Sequence, residues 1–209
     1  MMVRRLPRGG TGGFTPHPPY DEEFLGDGGA WTLTAILGGT LDINTTAPGK
    51  IHMPTGSAAH KVGLPSFPFT VTAFCSYILY DDINSVYANA TLAISEASPA
   101  GSPGPLHWGL EWDVDILGSI AVYDIRRVSF GGSLTHLGTK QNETAGLTRE
   151  VPHYQRIVAH SSTDYDLQWS LDGSSWTTYG TAFNPTLTAG AIMLISFGCT
   201  TEWDWIRFT

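Results

Sequence analysis

Residues 191–209 read AIMLISFGCTTEWDWIRFT, and their pattern decides the fold class. β-Branched and aromatic side chains dominate, and no helical period runs through them. Two strands are expected, 191–198 and 202–208, closing as a terminal hairpin. Successive side chains on a strand point to opposite faces. Trp203 and Trp205 should therefore share one face, with Asp204, Ile206 and Phe208 on the other. One set is core, and the other is available for a subunit contact.

The same texture runs back through the chain. Further strands are expected at 30–37, 40–46, 49–53, 69–79, 88–96, 106–115, 119–125, 154–161 and 164–171. Most alternate apolar with polar residues. Gly, Pro, Asn and Asp mark turns between them, at 38–39, 47–49, 98–105, 172–175 and 184–186. Asp172-Gly173 predicts a tight hairpin, with Trp176 capping the core just past it. Residues 132–150, GSLTHLGTKQNETAGLTRE, read as a long polar loop suited to binding. Short strands at regular spacing, about a dozen in one domain, predict two packed antiparallel sheets. Residues 21–209 form this body. Residues 1–20, MMVRRLPRGGTGGFTPHPPY, have no hydrophobic period and form an arm unable to pack a core.

Composition narrows the function classes. Of 209 residues only 14% are charged, against roughly a quarter in ordinary soluble domains, and the net charge is −8. Acidity argues against a nucleic-acid partner, since Arg4, Arg5 and Arg8 are the only basic cluster. No apolar run is long enough for a membrane helix, and no secretory signal is expected. Cys75 and Cys199 show no metal spacing and read as buried small hydrophobes. The seven histidines are scattered, so no metal site is expected.

Several segments resemble the concanavalin A-like lectin/glucanase superfamily. YDEEFLGDGGAWTL (20–33) with GGTLDI (38–43) is similar to its opening strands. YQRIVAHSSTDYDLQWSLDGSSWTTYGT (154–181) resembles an internal strand pair ending in Ser-x-Asp-Gly-x-x-Trp, here Ser170, Asp172, Gly173 and Trp176. The terminal segment resembles its closing strand pair through Trp203, Asp204, Trp205 and Arg207. The resemblance implies a jelly-roll sandwich but no single function, because the superfamily holds lectins, glycosidases and structural domains. In the arm, LPRGGTGG (6–13) is similar to a Leu-Pro-x-x-Gly-Gly-Thr-Gly signature near attachment regions of bacteriophage tail-fibre proteins. That implies an anchor made of Arg4, Arg5, Leu6, Pro7, Arg8, Gly9, Gly10, Thr11 and Gly12.

The chemistry-bearing stretch is GLEWDVDILG, 109–118. Strand alternation sets Glu111, Asp113 and Asp115 in one row, opposite Leu110, Trp112, Val114 and Ile116. Trp108 falls on the Trp112 side. Three readings stand: a plain polar face, a surface that hydrogen-bonds a sugar or cation, and a catalytic pair. Laminarinase-like glycoside hydrolases carry Glu-x-Asp-x-Glu or Glu-x-Asp-x-x-Glu on such a strand. The resemblance implies Glu111 as nucleophile, Asp113 as tuner and Asp115 as acid/base. Asp115 stands where that family has Glu, one methylene short, which costs activity where placement is critical.

Other acids, Asp81-Asp82 and Asp164/Asp166, read as turn residues with Ca²⁺ as the alternative. Asn142 begins an Asn-x-Thr sequon. No Ser-His-Asp, Cys-His or phosphate-loop arrangement is present. The expectation is an all-β jelly roll with a tethering arm, acting as a phage virion structural protein, a fibre or capsid-decoration subunit. It would contact other virion proteins through the arm, form a homo-oligomer and take a host-surface glycan at Glu111, Asp113 and Asp115, without a resident cofactor. The alternatives are a laminarinase-like hydrolase using Glu111 and Asp115, or a carbohydrate-binding module of a bacterial enzyme.

Overall fold

The computed structural model describes residues 32–35, 42–43, 45, 48–80, 89–96, 108–117, 120–129, 133–136, 141–143, 151–183 and 189–209, with 32–35 and 108–143 described through the backbone alone. Residues 1–20, the expected arm, lie outside the described residues, as do Asp81 and Asp82. The strands are β1 (Thr32–Ala35), β2 (Asp42–Ile43), β3 (Ile51–Met53), β4 (Ser57–Val62), β5 (Phe69–Tyr80), β6 (Asn89–Glu96), β7 (Trp108–Leu117) and β8 (Ile120–Ser129). They continue with β9 (Ser133–His136), β10 (Gln141–Glu143), β11 (His153–Ala159), β12 (Asp164–Ser170), β13 (Thr177–Phe183), β14 (Ala189–Phe197) and β15 (Cys199–Phe208).

They form two antiparallel sheets. One has eight strands in the order β1-β4-β14-β6-β7-β8-β10, with β9 also on β8; the other has seven, β13-β12-β11-β5-β15-β3-β2. The chain changes sheet repeatedly, which makes a jelly-roll sandwich rather than a meander. The core lies between the sheets. Ala59, Leu92, Ile94, Ile192 and Leu194 come from one side, and Val71, Ala73, Ile157, Leu167, Trp203, Ile206 and Phe208 from the other. Trp203 is fully buried, and its indole donates to Thr201 Oγ1 at 3.1 Å. Burying such a side chain removes about 200 Å² from water, roughly 5 kcal/mol as an upper estimate.

One buried amide joins the sheets. On β11 the alternate residues His153, Gln155, Ile157 and Ala159 face the core. Gln155 Nε2 donates to Ala90 O (2.6 Å), and Gln155 Oε1 accepts from Leu92 N–H (2.7 Å), both on β6 of the opposite sheet. The second amide hydrogen meets His153 Nε2 at 3.0 Å, while His153 Nδ1 donates to Val151 O at 3.0 Å. That network assigns His153 as the neutral Nδ1–H tautomer. The β6–β7 pairing runs from Ser95↔Gly109 to Leu92↔Trp112. Where that ladder stops, the Gln155 side chain takes the place of a strand.

The terminal segment is not the hairpin expected. β14 lies in the eight-stranded sheet and β15 in the seven-stranded sheet, and Gly198 alone connects them. Its φ of 65° turns the corner. Gly198 N–H donates to Thr55 Oγ1 (2.7 Å) and Ser196 Oγ to Cys199 O (2.6 Å). Trp203 and Trp205 also do not share a face. The β15–β5 pairing passes from Glu202↔Tyr77 to Trp203↔Cys75 and then to Trp205↔Phe74. Ser76 and Asp204 are thus one extra residue on each strand, a bulge in each. Trp203 goes inward, and Trp205 is left half-buried on the outer side.

The two extruded side chains bond each other, Ser76 Oγ donating to Asp204 Oδ1. Lys50 Nζ ties them together, 2.7 Å from Ser76 Oγ, 3.0 Å from Glu202 Oε2 and 3.2 Å from Asp204 Oδ1. Burial works to lower the Lys50 pKa. The Glu202 hydrogen bond and the charges of Asp204 and Glu202 outweigh it, leaving the pKa raised.

Other expectations shift. Within the supposed loop 132–150 lie β9 and β10, at the margin of the eight-stranded sheet, where no apolar stripe is required. β4 was not anticipated because Ser57 to Lys61 are all buried, so no alternation appears. β13 is an edge strand whose Thr-rich sequence hides its period. Cys75 and Cys199 are both buried free thiols, as expected.

Two outcomes follow for stability. Gln155→Leu strands Leu92 N–H, Ala90 C=O and His153 Nε2, each worth about 1–3 kcal/mol when buried unpaired; urea unfolding should show a loss of about 3 kcal/mol. Burial lowers the His153 pKa from 6.5 to about 4. The folded state binds its proton later than the unfolded one, so the stabilisation is complete above pH 6.5 and is lost as pH falls toward 4. Urea midpoints measured across that window should drop, and His153→Gln should flatten the slope.

Candidate functional site

The eight-stranded sheet carries a second, smaller apolar cluster of Ala58, Ala93 and Met193, with Ile195 packed on it. Along their strands these alternate with core residues: Ala58 with Ala59, Ala93 with Leu92 and Ile94, Met193 with Ile192 and Leu194. The cluster therefore marks the side of that sheet away from the main core, where Ala58, Ala93 and Met193 are nevertheless buried.

Register extends that face to β7. His60 pairs with Met193, Met193 with Ala93, Ala93 with Glu111, Glu111 with Arg126, and Arg126 with His136. Six strands thus contribute one continuous cross-strand row, with Glu111 between Ala93 and Arg126. Asp113 and Asp115 alternate with it along β7 and fall in the neighbouring rows, Asp113 opposite Asp124 and Asp115 opposite Val122. Trp112 and Leu110 pair with the core residues Leu92 and Ile94, so the even positions of β7 belong to inward rows. The three acids read from the sequence therefore share one side of one strand, on the outward face. Their register positions are not equivalent: Glu111 pairs with Arg126, Asp113 with Asp124 and Asp115 with Val122. Opposite charges directly across two strands stabilise and like charges destabilise, by roughly 0.2–1 kcal/mol.

The sequence reading missed Asp124, Arg126, His60 and His136. Their signal was present in VYDIRR, 122–127, where Asp124 and Arg126 keep a period of two. What was absent was the register that sets this strand against 109–118.

The chain matches no family model and no curated protein. Its backbone matches solved structures at low identity. A functionally unknown protein from Saccharomyces cerevisiae aligns with a TM-score of 0.59 and 13% identity, covering 87% of this chain and 96% of that one. Porphyranase B from Zobellia galactanivorans aligns at 0.54 and 11%, over 94% and 96%. The cellulose induced protein Cip1 aligns at 0.52 and 14%, over 90% and 96%. The fold, a two-sheet antiparallel jelly-roll sandwich, is what these structures share with it.

The other sheet of the jelly roll has its own outward face, and it corrects the expectation for Trp176. Trp176 does not cap the core. It lies half-buried on the outer side, with the Arg156 guanidinium 3.7 Å from its ring centre and Tyr154 edge-on at 6.5 Å. Tyr154 stacks on Phe74 at 4.4 Å and contacts Trp205 at 5.9 Å, and Arg207 lies over Trp205 at 4.4 Å. Arg156 Nε also donates to Gln168 Oε1 at 2.6 Å. These ring faces cover one another or carry guanidinium groups, so the ladder braces the sheet.

Asp172-Gly173 is not a two-residue hairpin either, since β12 ends at Ser170 and β13 begins at Thr177. Asp172 organises the longer turn, accepting from Ser174 N–H and Ser175 N–H at 2.7 Å, Ser175 Oγ at 2.9 Å and Ser170 Oγ at 2.9 Å. The Ser175 and Ser174 backbone bonds lead in holding its carboxyl far below the usual range.

Asp166 accepts from His160 Nε2 at 2.9 Å, and that bond raises the His160 pKa. Among the described residues, no group of three or more His, Cys, Asp or Glu is placed to hold a metal ion. Asn142 sits on β10 opposite Val122. Gly173 has φ +73°, and an added Cβ would lie 3.2 Å from the Tyr154 ring. Gly173→Ala should therefore lower stability by about 1–2 kcal/mol in a thermal or urea melt, with the sandwich retained.

Proposed function

We propose that this protein binds a carbohydrate chain across the outward face of its eight-stranded sheet, with Glu111 at the centre of the site. The observation that carries this is the row in which Glu111, Asp113 and Asp115 share one side of β7 on that face. Carboxylates accept hydrogen bonds from sugar hydroxyls, and neighbouring acids along a strand match a repeating run of such donors. Two of the proteins sharing the fold, porphyranase B and a cellulose induced protein, carry carbohydrates in their names. The fold thus adds weight to a carbohydrate reading. The virion reading rests on the Gly-rich arm with its motif at 6–13 joined to a jelly-roll body, and it gives way as the main reading.

Hydrolysis in the laminarinase manner is the second reading, and the acidic row favours it too. A retaining pair needs carboxyls about 5–5.5 Å apart. Residues four apart on a strand are about 13 Å apart at Cα, which leaves Asp115 with a shorter reach than a glutamate has. Binding is therefore preferred to turnover.

The test is a panel of soluble β-glucans, cello-oligosaccharides and sulfated galactans, scored by affinity electrophoresis and by reducing-sugar release. Retention by at least one member is expected, weakened tenfold or more (about 1.4 kcal/mol) in Glu111→Gln with an unchanged urea midpoint. No retention across the panel would sink the binding reading. Sugar release abolished in Glu111→Gln would favour the hydrolase.

A further inference from the structure

The outer face of the seven-stranded sheet holds an arginine that is fixed in place yet has no carboxylate partner. By register, Thr178, Gln168, Arg156, Thr72 and Arg207 form one cross-strand row over β13, β12, β11, β5 and β15, and the row contains no acid. Gln168 Nε2 donates to Thr178 Oγ1 at 3.1 Å, and Gln168 Oε1 accepts from Arg156 Nε. The Trp176 ring supports the guanidinium. A guanidinium carries five N–H donors in a fixed fork, and the bond to Gln168 uses one. Among the described residues, the donors on its terminal nitrogens meet no acceptor, and no carboxylate pairs with Arg156.

The acids nearby are engaged elsewhere. Asp166 holds His160, Asp172 closes its turn through Ser170, Ser174 and Ser175, and Asp204 is bound by Ser76 and Lys50. Burial disfavours the charged form of Arg156 and lowers its pKa. Partly desolvated charges are ordinarily paired, and an open guanidinium fork suits an oxyanion. Arg207 repeats the arrangement, its guanidinium over Trp205, two strands from Arg156 and so about 9.5 Å away. Thr72 offers a hydroxyl between them, and Tyr154, Phe74 and Trp205 form the adjacent row. A lone small anion needs one fork. Two forks at this spacing, with a hydroxyl between and half-buried rings alongside, match an extended chain with acidic groups at intervals. The net charge of −8 repels polyanions in general, so retaining one needs a local cationic arrangement of this kind.

We propose that Arg156 anchors an anionic polysaccharide, bearing sulfate esters or uronate carboxylates, on the outer face of the seven-stranded sheet, with Arg207 taking a further acidic group. The site lies on the opposite sheet from Glu111 and does not depend on that reading. Gln168 and Trp176 hold the fork, and the ligand supplies the counter-charge that the protein does not.

The experiment is calorimetric titration of the full chain at about 0.15 M salt. The probes are a sulfated galactan oligosaccharide, a polygalacturonate oligomer, a neutral agaro-oligosaccharide and sodium sulfate. At least one acidic oligomer should bind, about tenfold or more tighter than the neutral one, and the one that binds identifies the anionic group. Arg156→Gln should weaken it about tenfold. Arg156→Lys should not restore it, because an ammonium lacks the fork. Glu111→Gln should leave it unchanged, which separates this site from the other sheet. Urea midpoints check that the variants are folded. If Arg156→Gln lowers its midpoint, the Arg156 Nε–H NMR signal of the wild type decides, assigned by its absence from Arg156→Lys. It should shift with the acidic oligomer and stay still with the neutral one. Equal affinity in wild type and Arg156→Gln, sodium sulfate binding as tightly as the oligomers, or no binding by either acidic oligomer would each overturn the proposal. So would a dimer in sedimentation that dissociates in Arg156→Gln, because a second copy would then occupy this face.

Discussion

A single side-chain amide fixes how the two sheets of the sandwich align. Gln155 projects from the seven-stranded sheet into the core and takes the backbone of β6 in the other sheet by both N–H and C=O. A buried polar group costs free energy unless every capacity is satisfied, and this one is: both hydrogens and the carbonyl are used. Apolar side chains hold the sheets together without fixing how one slides on the other. A bidentate amide accepts only one alignment, so Gln155 sets the register between layers. It also fills the ladder of β6 at the point where pairing with β7 ends, just past Glu111 and just before Asp113 and Asp115.

Much of the architecture was legible in the sequence because strand alternation is a strong signal wherever one face is buried and the other is wet. β11 shows it best, with His153, Gln155, Ile157 and Ala159 inward and Tyr154, Arg156 and Val158 half-exposed. The signal failed where its premise failed. β4 is buried on both faces, and β9, β10 and β13 lie at sheet margins. The two tryptophans of the last strand were misassigned because a bulge shifts the phase, and nothing in WDW announces one. Nor does a sequence state whether two consecutive strands pair or part; a single glycine at 198 sends β14 and β15 to different layers.

The site was legible to a similar depth. A period of two was enough to align Glu111, Asp113 and Asp115, and the pairing of β7 with β6 puts their positions on the outward rows. Their chemical differences were not legible, because those come from the opposing strand. Asp124 and Arg126 acquire meaning only once the β7–β8 register is known. The Trp176 motif shows the reverse: its residues stood out in the sequence, yet they brace an outer face, with Asp172 closing the turn and Gly173 seated against Tyr154.

The paired bulges at Ser76 and Asp204 constrain how this chain can change over evolutionary time. Each adds one residue to one of two neighbouring strands, and the register on either side of the pair is the same. Losing either alone would put half of the β5–β15 ladder out of step and turn its core residues toward water. Losing both would leave the ladder in phase. Length changes in these strands should therefore be inherited together, and two gaps 128 positions apart would mark a single structural event. Lys50, which bonds both extruded side chains, should lose its reason to be a lysine at the same step.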